Sequence, residues 1–382
     1  MALLPNSISR RAWLQRSSMA AAAVATPVWA QPAKPAAAAR SLVIAQLVDF
    51  SDSQQDVSKD FLIGSRAAWQ DINARGGVRG RPVTHTTVET DGTPAKVRSA
   101  LLETIGNPAC IALSGSVGDR LAGQIAGLAG QVGLNMAHVA PWLQNSSLDV
   151  DDKTFPIFAA RQEQIAHALK NMSAMGMKTL GAVYASSAEQ AAYHLELERI
   201  AAGMQLKLQS FQGTGDLRLL SQKFTPDTPA VLLFLGGTPE LAQFTQGLEK
   251  QARQRYIVAL ADVNLQTLLQ MGTARNTPII ATQPVPMVNA SLPVVRQYRE
   301  TLARLFDEPP TPHSLAGFIA ARYTFEVLNE IDGPLTRQSA LASFQSRASR
   351  SIGGFRVSFN ASRRSGDYVT QSMMAQDGRL IG

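Results

Sequence analysis

The chain has 382 residues and a formal net charge of +7, and 45% of its residues are hydrophobic while 17% are charged. This is the composition of an ordinary folded globular protein, which argues against an intrinsically disordered chain and against a coiled coil. The basic residues form short, scattered clusters without interleaved aromatic residues, so we expect a solvated surface and no nucleic-acid partner. The one cysteine, Cys110, lies in an apolar run and has no second cysteine for an internal disulfide.

The first 30 residues have the order of an export signal. The pair Arg10-Arg11 precedes an Ala-rich stretch, 19–25, and the small-residue sequence Val28-Trp29-Ala30 ends the segment. Paired arginines followed by bulky apolar residues resemble the twin-arginine signal, which directs the export of folded proteins. We therefore predict a cleaved signal peptide at 1–30 and a Pro- and Ala-rich linker at 31–40. The alternative to a signal peptide is a short N-terminal helix of the mature fold. Because no cysteine lies near the cleavage site, we expect a soluble periplasmic protein without a lipid anchor.

From residue 41 onward, apolar strands alternate with amphipathic helices. On one helix Phe61, Ser65, Ala68 and Ile72 lie three or four residues apart and share a face, which predicts packing on a sheet. The predicted elements are strand 42–48, helix 59–75, strand 83–89, helix 94–105, strand 109–113, helix 121–132 and strand 134–139. Strands separated by helices of about ten to fifteen residues pair in parallel through right-handed crossovers, which predicts a doubly wound α/β domain.

The same pattern then repeats, which predicts a second domain of this class. Its elements are helix 162–175, strand 179–184, helix 188–202, strand 205–211, strand 231–235, helix 239–251, strand 256–260 and strand 278–282. Three helices, 292–306, 314–330 and 336–344, follow with few strands between them, so we expect them to cover the first domain. Strands 355–359 and 368–375 are expected near the second domain. The predicted lobes are 41–159 plus 285–350, and 160–284 plus 351–382.

Open α/β sheets bind ligands beyond the carboxyl ends of their strands, where this chain carries small or polar residues. Ser116, near the start of a helix, is placed to hold a carboxylate through neighbouring backbone N–H groups, and a plain turn is the alternative. Trp142 is interpreted as an apolar wall against the ligand. The candidate ligand-binding residues at these strand ends are Ser51, Ser116, Val117, Ala140, Trp142, Arg161, Tyr184, Thr238 and Asp262.

The sequence lacks the common motifs of catalysis. It contains no Gly-x-Ser-x-Gly elbow, no Walker loop and no His-Glu-x-x-His motif. The five histidines are scattered without metal-ligand spacing, so we expect them at surface or core positions. We therefore predict a protein that is not an enzyme, with no catalytic residue, no bound metal and no cofactor.

A family resemblance is carried by residues 71–80, which read DINARGGVRG. This segment closely resembles the helix end of the periplasmic leucine/isoleucine/valine-binding protein family, the solute receptors of ABC importers. Weaker matches follow in order at 115–118, 279–283 and 315–322, and the similarity extends from Ser41 to the C-terminus. The resemblance implies the type I periplasmic binding protein fold, in which two doubly wound Rossmann-like α/β lobes are joined by a three-crossover hinge and hold ligand in the cleft between them.

The resemblance further implies a small-molecule solute, a membrane permease of an ABC importer as partner, and a monomer. Asp262 matches the region where amino-acid-binding relatives place an acidic partner for the ligand ammonium, and a helix cap is its alternative role. The chain departs from those relatives at Gly118-Asp119-Arg120, Ala140-Pro141-Trp142 and Glu189-Gln190. The expected solute is an amino acid or an organic or aromatic carboxylate. Trp142 and Arg161 would suit the aromatic or other organic acid. A sensor subunit and an exported α/β enzyme are the alternative functions.

Overall fold

The computed structural model of the chain describes residues 41–174, 176–213, 215–249, 251–272, 277–366, 368–374 and 380–381. The predicted signal peptide at 1–30 and the predicted linker at 31–40 lie outside these residues. Among the described helices, none has both the length and the apolar composition that crossing a lipid bilayer requires.

The first lobe is built on a parallel sheet of five strands in the doubly wound order β2-β1-β3-β4-β5. Its elements are β1 (Leu42–Asp49), α1 (Gln55–Ala74), β2 (Val83–Thr90), α2 (Pro94–Gly106), β3 (Cys110–Ser114), α3 (Asp119–Leu128), β4 (Ala137–Val139) and β5 (Thr154–Phe155). Strand β1 lies between β2 and β3 and is buried along nearly its whole length, which explains its largely apolar sequence. Helix α1 stops before Gly76 and Gly77, whose positive φ angles of 103° and 72° provide the predicted left-handed ending.

The second lobe is built on a sheet whose described strands have the order β14-β13-β10-β9-β8-β6-β7. Its elements are α4 (Arg161–Ala174), β6 (Thr179–Tyr184), α5 (Ser187–Gly203), β7 (Lys207–Gln212), α6 (Leu217–Gln222), β8 (Val231–Leu235), α7 (Thr238–Leu248), β9 (Tyr256–Ala259), α8 (Leu265–Gln270), β10 (Ile279–Gln283), β13 (Thr370–Met374) and β14 (Leu380–Ile381). Strands β6 to β10 pair in parallel, whereas β13 and β14 are antiparallel additions at the edge. The sequence did not predict α6, because six residues are too few for a periodic pattern.

The chain passes between the two sheets three times, at 156–160, 284–292 and 358–369. Between the second and third passages it forms α9 (Pro293–Leu305), α10 (Pro312–Asn329), α11 (Arg337–Gln345), β11 (Arg350–Ile352) and β12 (Phe355–Val357). Helices α1 and α10 touch backbone to backbone, since a Cβ added at Gly64 would lie 1.7 Å from the Ser314 carbonyl oxygen. Helices α9, α10 and α11 share the hydrophobic core of the first lobe.

The hairpin β11–β12 lies in the first lobe. The predicted position of strand 355–359 near the second lobe is therefore wrong. The second chain segment of the second lobe, predicted to begin at residue 351, begins after this hairpin. Its side chains Ile352, Phe355 and Val357 are at most 1% exposed and belong to the core that α1 and α9 also form. Of the predicted tail strands, β13 joins the second sheet by pairing with β10. The sequence of a short amphipathic hairpin does not indicate which of the two lobes the hairpin packs against.

Candidate functional site

The carboxyl ends of the two parallel sheets meet at a cavity of about 30 Å³ between the lobes. The polar residues that line it are Asp49, Ser51, Ser53, Gln54, Asp119 and Arg120 from the first lobe and Glu189, Tyr193 and Asp262 from the second. A volume of this size holds about one or two water molecules. In this structure the space between the lobes is therefore smaller than an organic solute.

Two hydrogen-bonded pairs join the lobes beside the cavity, and we call them the interlobe seam. Thr238 Oγ1 donates to Asp56 Oδ2 at 2.6 Å, and Asn264 Nδ2 donates to Asp60 Oδ2 at 2.8 Å. Burial raises the pKa of the Asp60 carboxyl. Each pair has one member in each lobe, so the seam forms only when the lobes are together.

Arg161, the first residue of α4, is fully buried among Asp119, Glu196 and Asp262, and we call these three acids the carboxylate cluster. Its Nη2 donates to Asp119 Oδ2 at 2.9 Å, its Nη1 donates to Glu196 Oε2 at 2.7 Å, and Asp262 Oδ2 lies 3.8 Å from Nη2. The guanidinium lies 4.1 Å from the centre of the Tyr193 ring. Burial alone would lower the pKa of Arg161, but its acidic neighbours raise it well above its ordinary value. The arginine expected to suit an acidic ligand is therefore already neutralised by the protein.

Asp262 belongs both to the carboxylate cluster and to the lining of the cavity. Gln144 Nε2 donates to its Oδ1 at 2.7 Å. Burial raises the pKa of Asp262 to about 7, against the opposing effect of the Arg161 charge. The alternative role as a helix cap is wrong, because Asn264 caps α8 with its side-chain oxygen. Asp262 is therefore a cleft carboxylate whose charge changes near neutral pH.

Trp142 is fully buried in the first lobe and is not among the residues that line the cavity. Its ring packs against Phe61, Phe158 and His313 at centroid distances of 5.6, 5.3 and 5.8 Å, and we call these four residues the aromatic cluster. His313 also reaches the second lobe, where its Nε2 lies 2.9 Å from the Ala261 backbone oxygen. The predicted position of Trp142 as a wall against the ligand is wrong, because its ring points into the core.

Four other predicted site residues, all with 0% exposure, lie beneath the cleft: Ser116, Val117, Ala140 and Tyr184. Ser116 Oγ lies 2.9 Å from the His138 ring, and the Tyr184 hydroxyl lies 3.1 Å from the His194 ring. These side chains are engaged in contacts inside their own lobes. By contrast, Ser51 and Asp262 line the cavity and Thr238 belongs to the interlobe seam.

Of the twelve residues that line the cavity, ten were absent from the predicted site, among them Asp49, Asp119, Arg120, Glu189 and Tyr193. Asp49 is the last residue of β1, so it could have been predicted from the rule that ligands bind at the carboxyl ends of strands. Asp119 and Arg120 are the first two residues of α3, and Glu189 lies in the first turn of α5. Tyr193 lies inside helix α5, so it could not be predicted from the rule about strand ends.

Residues 41–376 match the family model described as periplasmic binding protein, and the chain therefore belongs to that family. Members of the family are substrate-binding proteins with two α/β lobes, so both the predicted family and the predicted fold class are confirmed.

Solved structures support the same fold. The extracellular ligand-binding receptor from Verminephrobacter eiseniae ef01-2 has a TM-score of 0.80 at 18% identity, over 90% of this chain and 100% of that one. A possible leucine/isoleucine/valine-binding protein from Rhodopirellula baltica SH 1 has a TM-score of 0.78 at 18% identity, over 92% and 98% of the two chains. The branched-chain amino acid transporter substrate binding protein LivJ from Streptococcus pneumoniae, in complex with isoleucine, has a TM-score of 0.72 at 14% identity, over 90% and 98%. No curated protein matches the sequence.

Proposed function

We propose that this protein is an exported solute-binding protein of an ABC importer, which closes its two lobes on a small organic solute and presents the closed form to a membrane permease. The observation that carries the proposal is the interlobe seam, which lies beside a polar cavity at the carboxyl ends of both parallel sheets. Polar contacts across the cleft favour the closed form. A solute with higher affinity for that form shifts the equilibrium toward it.

The structural neighbours support a transport role without indicating one solute. The S. pneumoniae protein is described in complex with isoleucine, whereas a neighbour from Thermomonospora curvata, with a TM-score of 0.76 at 14% identity, is named a fatty acid ABC transporter substrate-binding protein. One fold therefore serves chemically different solutes, and selectivity must come from the residues of the cleft. We propose that this protein acts as a monomer and binds its solute without turnover.

Export by the twin-arginine route belongs to the same proposal. It is supported by the Arg10-Arg11 pair and the small-residue end at Ala30. Replacing both arginines by lysine, R10K together with R11K, should leave the precursor in the cytoplasm. The mature protein recovered from the periplasm of cells with the unaltered signal should begin at Gln31. Equal amounts of periplasmic protein with and without the paired arginines would refute this route.

A solute screen tests the binding function directly. The purified chain is heated with single members of a library of amino acids, amines, dicarboxylates and aromatic acids, since a ligand that binds only the folded form raises its apparent stability. Compounds that raise the melting temperature are then titrated by calorimetry and recovered for mass analysis. We expect saturable one-to-one binding with the solute chemically unchanged. Chemical conversion of the solute, or a library without any binder, would contradict the proposal.

A further inference from the structure

The cavity between the lobes carries an excess of negative charge. Four carboxylates line it, Asp49, Asp119, Glu189 and Asp262, and one guanidinium accompanies them, that of Arg120. At one negative charge for each carboxylate, which for Asp262 requires a pH above about 7, the lining has an excess of three negative charges, and the buried Arg161 behind it offsets one of them through Asp119. Charges interact strongly in a narrow cleft with protein on both sides, because little water is present to screen them.

The two arginines at the cleft are already paired with acids. Arg161 is fully buried, and its guanidinium donates to Asp119 at 2.9 Å and to Glu196 at 2.7 Å. Arg120 Nη2 lies 3.2 Å from Glu189 Oε1, in an ion pair that joins the two lobes. An acidic solute would have to compete with these carboxylates for both guanidinium groups.

Asp49 provides a carboxylate oxygen, Oδ2, to which none of the described residues donates a hydrogen bond. The residue is 3% exposed and lines the cavity from the end of β1. Its Oδ1 accepts a hydrogen bond from the Ser51 backbone N–H at 2.9 Å, whereas no described residue donates to Oδ2. A carboxylate oxygen without a protein donor can accept a hydrogen bond from a charged donor, and an ammonium or guanidinium group of a solute supplies one.

We propose that the cleft selects an organic cation, a solute that carries ammonium or guanidinium groups and no free carboxylate, and holds it between Asp49 of the first lobe and Asp262 of the second. This inference rests on the proposed function, because it assigns a chemical class to the solute of the same cleft. The two acids belong to different lobes, so a cation that bridges them favours closure. The charge of the lining also disfavours the organic and aromatic carboxylates that the sequence predicted.

A matched series of four-carbon compounds tests the charge preference. The series consists of 1,4-diaminobutane, 4-aminobutyrate and succinate, which share a four-carbon chain and carry two, one and no ammonium groups with carboxylates at the other ends; in agmatine a guanidinium group replaces one ammonium group. We expect calorimetry at pH 8 to show one-to-one binding of 1,4-diaminobutane or agmatine at least tenfold tighter than that of 4-aminobutyrate, with no binding of succinate. Affinity for the cation should fall as sodium chloride is added.

The possible results separate this inference from the proposed function. Tighter binding of succinate, 4-aminobutyrate or any neutral or acidic member of the wider library would overturn the cation preference and leave the binding function intact. Absence of any binder in both the series and the wider library would instead overturn the binding function, and the inference with it.

Variants of the two acids show whether the cation lies where we place it. Asp49→Asn and Asp262→Asn should each weaken binding of the cation at least tenfold. Asp332→Asn is the matched control, because it makes the same chemical change at an exposed position in the loop after α10 and should leave the affinity unchanged. Asp262→Asn removes a carboxyl whose burial raises its pKa, so this variant should fold at least as well as the unaltered chain near pH 7. Unchanged cation affinity in a folded Asp262→Asn variant would overturn the placement.

Discussion

The aromatic cluster around Trp142 and the carboxylate cluster around Arg161 are both centred on a fully buried side chain, yet burial has opposite consequences for them. Removing an indole ring from water is favourable by itself, at roughly 25 cal/mol for each Å² of apolar surface. Burying a guanidinium costs free energy unless charged partners surround it. Trp142 is therefore stabilised within its own lobe, whereas Arg161 also draws on Asp119 of the other lobe.

This difference indicates which cluster is close to function. The aromatic cluster stabilises the first lobe and is absent from the cavity lining. The carboxylate cluster contributes Asp119 and Asp262 to the lining, and Arg161 joins Asp119 of the first lobe to the second lobe. Large losses of stability should therefore follow changes in the first cluster, and pH-dependent effects should follow changes in the second.

Trp142→Ala should give the largest effect. Truncation of a fully buried tryptophan leaves a cavity among Phe61, Phe158 and His313, so we expect the free energy of unfolding to fall by about 3–5 kcal/mol. Urea denaturation measures this loss, and Trp142→Phe should recover part of it. A fall below about 1 kcal/mol would show that the indole is not packed as described.

Arg161→Met should come next, with a loss of about 3 kcal/mol at pH 8, because it leaves the carboxylate cluster buried without a cation. The loss should shrink at pH 5, where Asp262, whose pKa burial raises to about 7, takes up a proton instead of remaining charged. Arg120→Met is the matched control: its side chain is 49% exposed and can keep contact with solvent, so we expect a loss below about 1 kcal/mol. Equal losses at pH 5 and pH 8 would contradict the role assigned to Arg161.

Thr238→Val should act on closure more than on folding. The variant removes the hydroxyl that donates to Asp56 and accepts from the Asn264 backbone N–H, so the closed form should lose about 1–2 kcal/mol. That loss corresponds to a roughly fivefold to thirtyfold weaker solute affinity in calorimetry. Thr267→Val, at a helix position outside the seam, is the control and should bind normally. Unchanged affinity in the Thr238 variant would remove the seam from the closing mechanism.

The smallest effect is a dependence on pH through Asp262, which faces Arg161, Asp119, Glu196 and Tyr193. Its pKa is raised to about 7, so the folded protein binds the proton more tightly than the unfolded chain. This group should therefore lower the free energy of unfolding as the pH rises from about 4 to about 7. Affinity for 1,4-diaminobutane should instead increase as the pH passes through 7, because the charged carboxylate binds the cation.

Asp262→Asn separates the two trends. In this variant the part of each pH dependence that comes from Asp262 should disappear, both for the free energy of unfolding and for the affinity. The diamine itself stays fully protonated over this pH range. Thermal unfolding and calorimetry at several pH values measure the two slopes on the same preparation. Parallel slopes in the unaltered protein and in the variant would exclude Asp262 as their source.

The sequence predicted the two parallel sheets well, because their strands are apolar and their helices end at recognisable glycines such as Gly76 and Gly77. It predicted the cleft incompletely. Ser51, Thr238 and Asp262 follow strand ends and do lie at the cleft, and Asp49 obeys the same rule. The inward direction of Trp142 could not be predicted, because a residue near a strand end can face either the core or the solvent.

The neutralised state of Arg161 could not be predicted either. Its partners Asp119 and Glu196 lie 42 and 35 residues away along the chain, and only the folded arrangement brings their carboxylates to one guanidinium. The sequence shows how many charged residues the chain has, but not which of them form ion pairs. The pairing of Arg161 with acids of both lobes is therefore visible only in the folded structure.

The most direct test of the central claim is a distance measured between the lobes. Spin labels are attached to Glu103→Cys on α2 and to Glu249→Cys after α7, both exposed, while the native Cys110 is buried and its thiol pKa is raised by burial. Saturating 1,4-diaminobutane should shorten and narrow the distance distribution, and the same concentration of succinate should leave it unchanged. Closure by succinate, or binding of the diamine without any change in the distance, would contradict a cleft that closes on a cation.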